Sequence, residues 1–366
     1  MKKNCFFYNY KNKKYSITPN GVITSKSHSN IALIKYWGKH NNKIQIPLNS
    51  SISYSLGKVY TVTRLIYQEK KKSNLSIRVF FSGKEKTSFI PKILEFFHRI
   101  SFYCSYIRDF NFIIETYNTF PHSSGIASSA SSMSALALCI MKIEKKLVYS
   151  LKEDFFLKKA SFLARLGSGS ACRSIYPGLV VWGCHKAIKG SNNLYAIPYP
   201  YEVHSIFTKI EDTILIVDDE PKKILSSKGH KLMNNHPYAK DRFKCANQNM
   251  NRLISILKIG DFQEFGELIE HEALTLHAMI MTSRPYFLWM KPNTLNVIHT
   301  VWDFRKQSNK NIYFTLDAGA NIHLLYPIQE KTSILKWIYS DLFSYCKKII
   351  ESFCLYNYLC LLFWWT

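Results

Sequence analysis

The sequence of 366 residues lacks the cysteine patterns of a disulfide-bonded or zinc-binding protein. Its nine cysteines are scattered, with no Cys-x-x-Cys pair and no Cys and His cluster at zinc-ligand spacing. An odd number of scattered thiols is typical of a reducing compartment, so we expect a cytoplasmic protein. No dedicated metal site is predicted.

Long apolar runs are also missing. No uninterrupted stretch approaches the roughly 20 residues that a membrane helix requires. The apolar part of the Lys-rich N-terminus, residues 5–8, is too short for a signal peptide. The apolar and aromatic residues 355–365 are too few to span a bilayer. The sequence therefore predicts no membrane partner.

Acidic residues are scarce, since 25 Asp and Glu stand against 49 Lys and Arg, a net charge of +24. Such a charge can indicate a nucleic-acid-binding protein, whose affinity would fall steeply with added salt. However, Lys far outnumbers Arg and is spread along the chain, whereas specific nucleic-acid readers depend on Arg for bidentate contacts. We interpret the charge mainly as compositional bias that also favours anionic substrates, and we expect no nucleic-acid partner.

The order of predicted elements favours an α+β fold, because strands and helices are mixed without strict alternation. Strands are predicted at 30–35, 51–56, 59–67, 75–82, 110–116, 179–183, 213–217, 312–316 and 322–326. Helices are predicted at 91–106, 131–146, 150–166, 239–257 and 262–278, with another from near 293. Composition shifts at 188–201. We therefore assign a basic extension to 1–25, an N-terminal domain to 26–205 and a C-terminal domain to 206–366.

A loop of small residues at 121–130, Pro-His-Ser-Ser-Gly-Ile-Ala-Ser-Ser-Ala, precedes an apolar helix. Small side chains let backbone N–H groups approach a ligand, and a helix N-terminus favours negative charge. The pattern therefore predicts a phosphate-binding loop. Taken alone, it also fits an ordinary capped helix.

A second small-residue segment at 167–174 reads Gly-Ser-Gly-Ser-Ala-Cys-Arg-Ser and follows a predicted helix that ends at Gly167. The guanidinium of Arg173 matches a phosphate group bidentately, and the small residues bring the backbone close to a ligand. The segment predicts a second anion site. The alternative is a flexible linker, which seldom places an arginine so tightly.

Two further segments contain candidate reactive groups. Lys35-Tyr-Trp-Gly-Lys39 follows a predicted strand, and Asp317-Ala-Gly follows another. One interpretation is a surface lysine pair and an aspartate that caps a turn. The functional interpretation is that Tyr36 and Lys39 bind an anionic ligand while Lys35 points into a site. Asp317 would be an acid–base or substrate-orienting carboxylate that a nearby lysine keeps ionised.

Together these segments resemble the diphosphomevalonate decarboxylase family of the GHMP kinase superfamily. The resemblance rests on the Lys35-Tyr-Trp-Gly-Lys39 and Asp317-Ala-Gly segments, on 125–130, where Ala127 replaces the Gly of most GHMP kinases, and on 167–174. It spans roughly residues 27 to 326, and 167–174 is its most specific part. A further substrate-side segment, 223–227, is also similar to the family. Three features depart from the family: Ala320 replaces a frequent Pro, Lys228-Gly229-His230 after Ser227 loosens the match of that segment, and 349–366 lack the common Gly-rich ending.

The resemblance implies roles for individual residues. Asp317 and Lys35 would be catalytic. The substrate would contact Asn30, Tyr36, Trp37, Gly38, Lys39, Ser168, Gly169, Ser170, Ala171, Cys172, Arg173 and Lys228, with Lys92 a further candidate. ATP would contact Asn118, Pro121, Gly125, Ala127, Ser128 and Ser129.

The resemblance also implies a fold and a reaction. The fold is that of the GHMP kinases, with an N-terminal domain like ribosomal protein S5 domain 2 and a ferredoxin-like C-terminal domain. The reaction is the ATP- and Mg²⁺-dependent conversion of mevalonate 5-diphosphate to isopentenyl diphosphate, without an organic prosthetic group. A homodimer is expected. The alternatives are a relative that phosphorylates C3 without decarboxylation, and one that acts on the monophosphate.

Overall fold

The computed structural model describes residues 6, 19–41, 44–70, 75–121, 126–148, 150–220 and 226–356. In its first half, long strands form a sheet that is covered by three helices. The elements are β1 Asn20–Ile34, β2 Lys39–Asn41, β3 Ile46–Pro47, β4 Ser51–Glu69, β5 Ile77–Phe81, β6 Lys84–Glu85, α1 Ile90–Ile100, β7 Phe110–Asn118, α2 Ser128–Leu147, α3 Glu153–Gly167, β8 Leu179–Trp182 and β9 Ile197–Pro198.

The second half begins with one strand, continues with four helices, and ends with three strands and a fifth helix between the last two of them. The elements are β10 Ile210–Ile216, α4 Ser226–Leu232, α5 Ala239–Ile259, α6 Phe262–Met281, α7 Pro292–Ser308, β11 Tyr313–Thr315, β12 Ile322–Pro327, α8 Lys331–Trp337 and β13 Lys348–Leu355. No helix in the described part of the chain is long and apolar enough to cross a membrane.

One mixed sheet of eleven strands joins the two halves, in the main order β11-β12-β10-β13-β4-β7-β5-β6. β5 and β7 pair in parallel, and the other paired strands that the structure describes are antiparallel. The link between the halves is β13, which pairs with β10 along its length and with β4 at Leu56 and Ser55. The chain is therefore an α and β protein with a mixed sheet.

β4 explains how the sheet is covered. Its first six residues are buried, whereas from Val59 to Tyr67 buried and less buried positions alternate. Side chains of a strand point alternately to its two faces. The first part of β4 is therefore covered on both faces and the second part on one face. The two strands predicted at 51–56 and 59–67 are one continuous strand.

Three differences from the prediction concern the ends of elements. β1 begins at Asn20 and pairs with β4, so residues 20–25 of the predicted extension lie in the sheet. α2 begins at Ser128, which places the end of the predicted phosphate loop inside a helix. Residues 348–355, which overlap the atypical C-terminal segment 349–366, form β13. Residues 357–366 lie outside the described part, and the division into domains stays a prediction.

Two apolar cores support the region between the halves. The first packs α1, α2 and α3 on the sheet and includes Phe96, Phe112 and Ile140. The second contains residues from both halves, such as Tyr54 from β4 and Phe265 from α6. Because this second core contains residues of β1, β4 and α6, it holds the end of β1 close to α6.

Candidate active site

A cleft of about 820 Å³ lies where both halves meet, a volume suited to a small-molecule site. Twelve of the predicted site residues line it: Lys35, Tyr36, Trp37, Lys39, Ala127, Ser128, Ser129, Ser168, Gly169, Ser170, Arg173 and Asp317. Lys92 also lines it. The four segments singled out in the sequence therefore face one space.

An ion pair joins Lys35 to Asp317, with Lys35 Nζ 2.9 Å from Asp317 Oδ1. Lys35 also donates to the carbonyl oxygen of Ala32 at 2.7 Å, and its side chain is buried. Burial lowers the pKa of Lys35 from its ordinary value, and the Asp317 carboxylate opposes that shift. The side chain of Asp317 is 23% exposed and that of Lys35 only 2%, so the carboxylate is the more accessible member of the pair in the cleft.

The carboxylate of Glu272 holds the backbone at Lys35. It lies on α6, accepts from the Lys35 backbone N–H at 2.9 Å, and is buried. Arg242 and Asn249 of α5 donate to the same carboxylate at 2.6 and 2.7 Å. Glu272 also tends to raise the pKa of Lys35, against the effect of burial. Glu272 therefore fixes Lys35 in position and adds negative charge near it.

Asp317 is held through its backbone as well. His277 of α6 forms a hydrogen bond between Nε2 and the carbonyl oxygen of Asp317 at 3.1 Å. The turn follows β11, and Ala318 packs in an apolar cluster with Trp37 and Leu276. Both members of the Lys35–Asp317 pair are thus attached to α6, which sets their relative position.

Arg173 is a buried cation with neutral partners. It lies in a 3₁₀ helix at Gly169–Ile175 and donates from Nε to Ser53 Oγ at 2.9 Å, from one terminal nitrogen to Ser51 Oγ at 2.7 Å, and from the other to Asn30 Oδ1 at 3.3 Å. Three of its five N–H groups are used in this way. Among the described residues no carboxylate lies within ion-pair distance of it. Its charge is therefore available to an anion in the cleft.

The start of α2 presents a second anion-binding feature. Ala127 has a left-handed backbone, with φ +46°, and the helix that follows has no side-chain cap. The Ala130 N–H donates to the Ala127 carbonyl oxygen at 2.7 Å, and the helix dipole favours an anion at this end of α2. Ser129 Oγ lies 3.2 Å from Ser168 Oγ. The helix start and the Arg173 segment are therefore adjacent, as one site for two phosphate groups requires.

Gly167 is the last residue of α3, as predicted, but its conformation is not the left-handed one of many helix-ending glycines. A Cβ at this position would lie 2.7 Å from Met133 Sδ and 3.0 Å from a ring carbon of Phe96. Close packing therefore requires glycine here. It lets the end of α3 meet α1 and α2 beside the cleft.

Cations dominate one wall of the cleft. Lys39, Lys92, Arg99 and Lys231 line it, and Glu95 pairs with Arg99. Burial lowers the pKa of Lys39 to about 8, and repulsion by the three other cations adds to the shift. An anion bound here would relieve that repulsion. The wall therefore favours a multiply charged ligand.

Other predicted residues do not line the cleft. Asn30, Gly38, Ala171 and Cys172 are buried behind its surface, and Asn30 contacts Arg173 and Ser174. Asn118 accepts from Thr61 at the end of β7, and Pro121 follows outside the lining. Lys228 is exposed on α4 and lies outside the lining. Gly125 lies outside the described residues. Roles for these residues stay predictions.

The sequence interpretation missed several residues that shape the site. Glu272 and His277 lie in α6, whose regular apolar period predicts a face packed in the core, so neither residue is indicated as functional by the sequence. Glu272 lies between Ile269, Ala273 and Leu276, all of them buried. A carboxylate on the apolar face of a helix is costly unless it is paired, and this position was a detectable signal. His230, Arg99 and Lys231 gave no comparable signal.

A cleft with this set of donors defines an anion-binding protein, and comparison with known proteins specifies which. A family model for the diphosphomevalonate decarboxylase-like N-terminal domain matches residues 27–193. A second model, for the mevalonate 5-diphosphate decarboxylase C-terminal domain, matches residues 213–357. The chain belongs to the diphosphomevalonate decarboxylase family.

Individual relatives agree along most of the chain. The diphosphomevalonate decarboxylase of Debaryomyces hansenii is 28% identical over 353 residues, which cover 87% of this chain and 83% of the relative. The human enzyme of the same name is 26% identical over 320 residues, which cover 83% of this chain and 76% of the human enzyme.

Solved structures are similar in fold. Mevalonate diphosphate decarboxylase from Staphylococcus aureus has a TM-score of 0.79 and 28% identity, covering 92% of this chain and 97% of that one. A complex of MDDEF with MVAPP, AMPPCP and magnesium has a TM-score of 0.78 and 25% identity, and the match covers 92% of this chain and 98% of that chain.

Proposed function

We propose that this chain catalyses the ATP-dependent decarboxylation of mevalonate 5-diphosphate to isopentenyl diphosphate, ADP, phosphate and carbon dioxide. The observation that carries the proposal is that the Lys35–Asp317 pair, Arg173 and the start of α2 line the same cleft. The pair supplies a reactive carboxylate and its cation, Arg173 supplies one anion site, and the start of α2 supplies a second anion site. Two phosphorylated substrates require all three.

The substrate diphosphate is assigned to the cationic side. Arg173 keeps two N–H groups and an unneutralised charge, and Lys39 gains a partner when an anion binds. Ser168 and Ser170 add hydroxyl groups at the same edge. The Tyr36 hydroxyl is buried and has no hydrogen-bond partner in the described structure, so it is available to a ligand. These groups favour a diphosphate, which offers more acceptor oxygens than a monophosphate.

The ATP phosphates are assigned to the start of α2, with Ser129 beside them. Among the described residues no group of three or more His, Cys, Asp or Glu is placed to hold a metal ion. Mg²⁺ commonly binds through substrate phosphates, waters and one or two protein carboxylates. Asp317 offers a carboxylate oxygen in the cleft, and Ser129 offers a hydroxyl oxygen. When bound with ATP, the ion neutralises charge on the transferring phosphoryl group.

The catalytic roles follow from the position of Asp317. Its carboxylate accepts the proton of the C3 hydroxyl or orients that hydroxyl, as the γ-phosphoryl group is transferred from ATP to the C3 oxygen. The C3–O bond then breaks and phosphate leaves with its electron pair. The C1–C2 bond supplies the electrons of the new double bond, and carbon dioxide is released. Lys35 keeps Asp317 ionised before the proton is transferred. Because the departing phosphate takes the electron pair, no prosthetic group is needed as an electron sink.

The finer points of the assignment are proposals of the same kind. We assign the fold to the GHMP kinases, with an S5 domain 2-like N-terminal part and a ferredoxin-like C-terminal part. A homodimer in the cytoplasm completes the proposal. The seven cysteines in the described part are free thiols, which supports a reducing compartment. Sedimentation velocity at two protein concentrations tests the dimer.

A substrate series tests the proposed function. ADP release is measured with purified protein, Mg²⁺ and ATP in the presence of mevalonate, mevalonate 5-phosphate or mevalonate 5-diphosphate. ADP release that depends on the diphosphate supports the proposal. Equal or faster release with the monophosphate contradicts the substrate assignment, and no release with any of the three contradicts the enzyme.

A further inference from the structure

His230 lies in the cleft wall and has no role in the proposed reaction so far. It is 8% exposed, belongs to α4 and lines the cleft beside Lys39. Its ring centroid lies 4.5 Å from that of Tyr36 and 4.4 Å from that of Trp37. The imidazole therefore packs on the two aromatic residues of the corner that leads to Lys39.

Close packing of α4 on this corner depends on the residue before His230. A Cβ on Gly229 would lie 2.7 Å from Trp37 Cζ2 and 3.1 Å from Trp289 Cη2. Both indole rings are rigid, so a larger residue would push α4 away. Glycine lets the imidazole reach the corner.

The hydrogen bond at Nδ1 determines where the imidazole carries its proton. The Gly38 backbone N–H donates to His230 Nδ1 at 3.0 Å. A backbone N–H only donates, so Nδ1 is the acceptor and the proton of the neutral ring is on Nε2. Burial keeps the pKa of His230 well below its ordinary value, and Lys39 lowers it further, so the ring is neutral at physiological pH.

The Nε2–H group is thus a fixed donor. In the described part of the chain no residue accepts from it. A neutral donor adds a hydrogen bond next to Lys39 without adding to the repulsion among the cations of this wall. Unlike the ammonium group of a flexible lysine side chain, the Nε2–H group has a fixed direction, because the imidazole ring packs against Tyr36 and Trp37.

We propose that His230 is a specificity-determining residue whose Nε2–H donates to a phosphate oxygen of the substrate diphosphate, while its Nδ1 fixes the Gly38 backbone. This proposal rests on the proposed function, since it names a donor for that substrate. It assigns α4 to the diphosphate side of the cleft. A monophosphate, which has fewer oxygens, would be held less well by the same donors.

Two substitutions separate hydrogen bonding from packing. His230→Phe keeps an aromatic ring against Tyr36 and Trp37 but loses both nitrogens. His230→Gln keeps an acceptor for Gly38 and a donor for the substrate. Because His230→Phe loses a hydrogen bond to a charged group, we expect its KM for mevalonate 5-diphosphate to increase about tenfold. Its kcat and its KM for ATP should be nearly unchanged. His230→Gln should recover most of the loss.

Nitrogen-15 NMR of the wild-type protein provides a second test that needs no variant to be active. The His230 signals, assigned by comparison with His230→Gln, should show a protonated Nε2 and an unprotonated Nδ1. Saturation with mevalonate 5-diphosphate or inorganic pyrophosphate should shift the Nε2–H proton downfield. No shift at saturation, or an unchanged KM in a folded His230→Phe, overturns the proposal.

The failure of the broader function is distinguishable from this outcome. If the wild-type protein does not turn over mevalonate 5-diphosphate but pyrophosphate still shifts the Nε2–H signal, the proposed reaction is wrong. His230 then remains a hydrogen-bond donor to a bound anion. If turnover is normal and neither ligand shifts that signal, only the role of His230 is wrong.

Discussion

Lys35 Nζ and Asp317 Oδ1 lie 2.9 Å apart, although the two residues are 282 positions apart in the chain. One follows β1 and the other follows β11, and α6 contacts both, through Glu272 to the Lys35 backbone and through His277 to the Asp317 carbonyl. Assembly of the reactive pair therefore requires both halves to be folded together. Changes in either half are expected to affect the same chemistry.

Replacement of Asp317 by Asn removes a carboxylate while keeping its shape. We expect kcat to fall about 10²- to 10⁴-fold, the range for loss of a positioned acid or base, because the amide does not take the hydroxyl proton. Binding of mevalonate 5-diphosphate, measured by calorimetry, should change little. Asp303→Asn on the exposed face of α7 is the matched control and should leave both quantities unchanged. Near-normal turnover of Asp317→Asn would refute the catalytic assignment.

Replacement of Glu272 by Gln leaves the buried Arg242 without its carboxylate. Breaking a buried ion pair by removal of one partner typically costs about 3–5 kcal/mol, and we expect a loss of unfolding free energy of that order in urea denaturation. By comparison, Glu264→Gln breaks an exposed pair with Arg252 and should cost less than about 1 kcal/mol. Equal effects of the two substitutions would show that the buried network has no special role.

The pH dependence of substrate binding should follow Lys39. Its pKa of about 8 in the free protein means that its charge is lost as the pH rises above 8. A bound diphosphate favours the charged form. The Kd for mevalonate 5-diphosphate should therefore rise by up to about tenfold per pH unit above pH 8, with proton uptake on binding. Calorimetry in buffers of different ionisation enthalpy measures that uptake.

The lowered pKa of Lys39 also affects the stability of the free protein, which should increase with pH where substrate affinity decreases. Because folding lowers the pKa of Lys39 from 10.5 to about 8, its destabilising effect is complete below pH 8 and is relieved as the pH rises toward 10.5. Lys39→Met should remove both pH effects, whereas Lys258→Met, on the exposed face of α5, should retain them. Identical pH profiles for the wild type and Lys39→Met would contradict the assignment of this lysine.

The contact between Ser129 and Ser168 predicts coupling between the two phosphate sites. Their hydroxyl oxygens lie 3.2 Å apart, so each alanine substitution also disturbs the other residue. We expect the combined loss of kcat/KM in the double variant to be smaller than the product of the single losses. Ser129→Ala combined with Ser333→Ala, a change at an exposed site on α8, should instead be multiplicative. Multiplicative losses in both pairs would argue against a shared site.

Much of this site was predictable because the relevant residues occur in short segments of unusual composition. Arg173 follows five small residues, and Asp317 ends a strand, so each could be found without knowledge of its neighbours. The spans of α5 and α6 also agree closely with the prediction, because their apolar period is regular, whereas the short helices α4 and α8 are not predicted. Residues 348–355 were harder, since a strand that completes a sheet between two halves shows no local sign of its partners.

The residues that were missed act through tertiary contacts. Glu272 contributes by accepting from a backbone N–H more than 200 positions away, and His230 by accepting from Gly38. Neither relationship has a signature in a single sequence. Lys228, which the family resemblance implies near the substrate, is exposed and lies outside the lining of the cleft, so its role stays a prediction.

Product identity tests the central claim most directly. Purified protein is incubated with ATP, Mg²⁺ and mevalonate 5-diphosphate, and the products are followed by phosphorus NMR together with carbon dioxide release. We predict isopentenyl diphosphate, ADP, phosphate and carbon dioxide in equal amounts. Accumulation of 3-phosphomevalonate 5-diphosphate with ADP, and without isopentenyl diphosphate or carbon dioxide, would show a kinase and contradict the proposed decarboxylase.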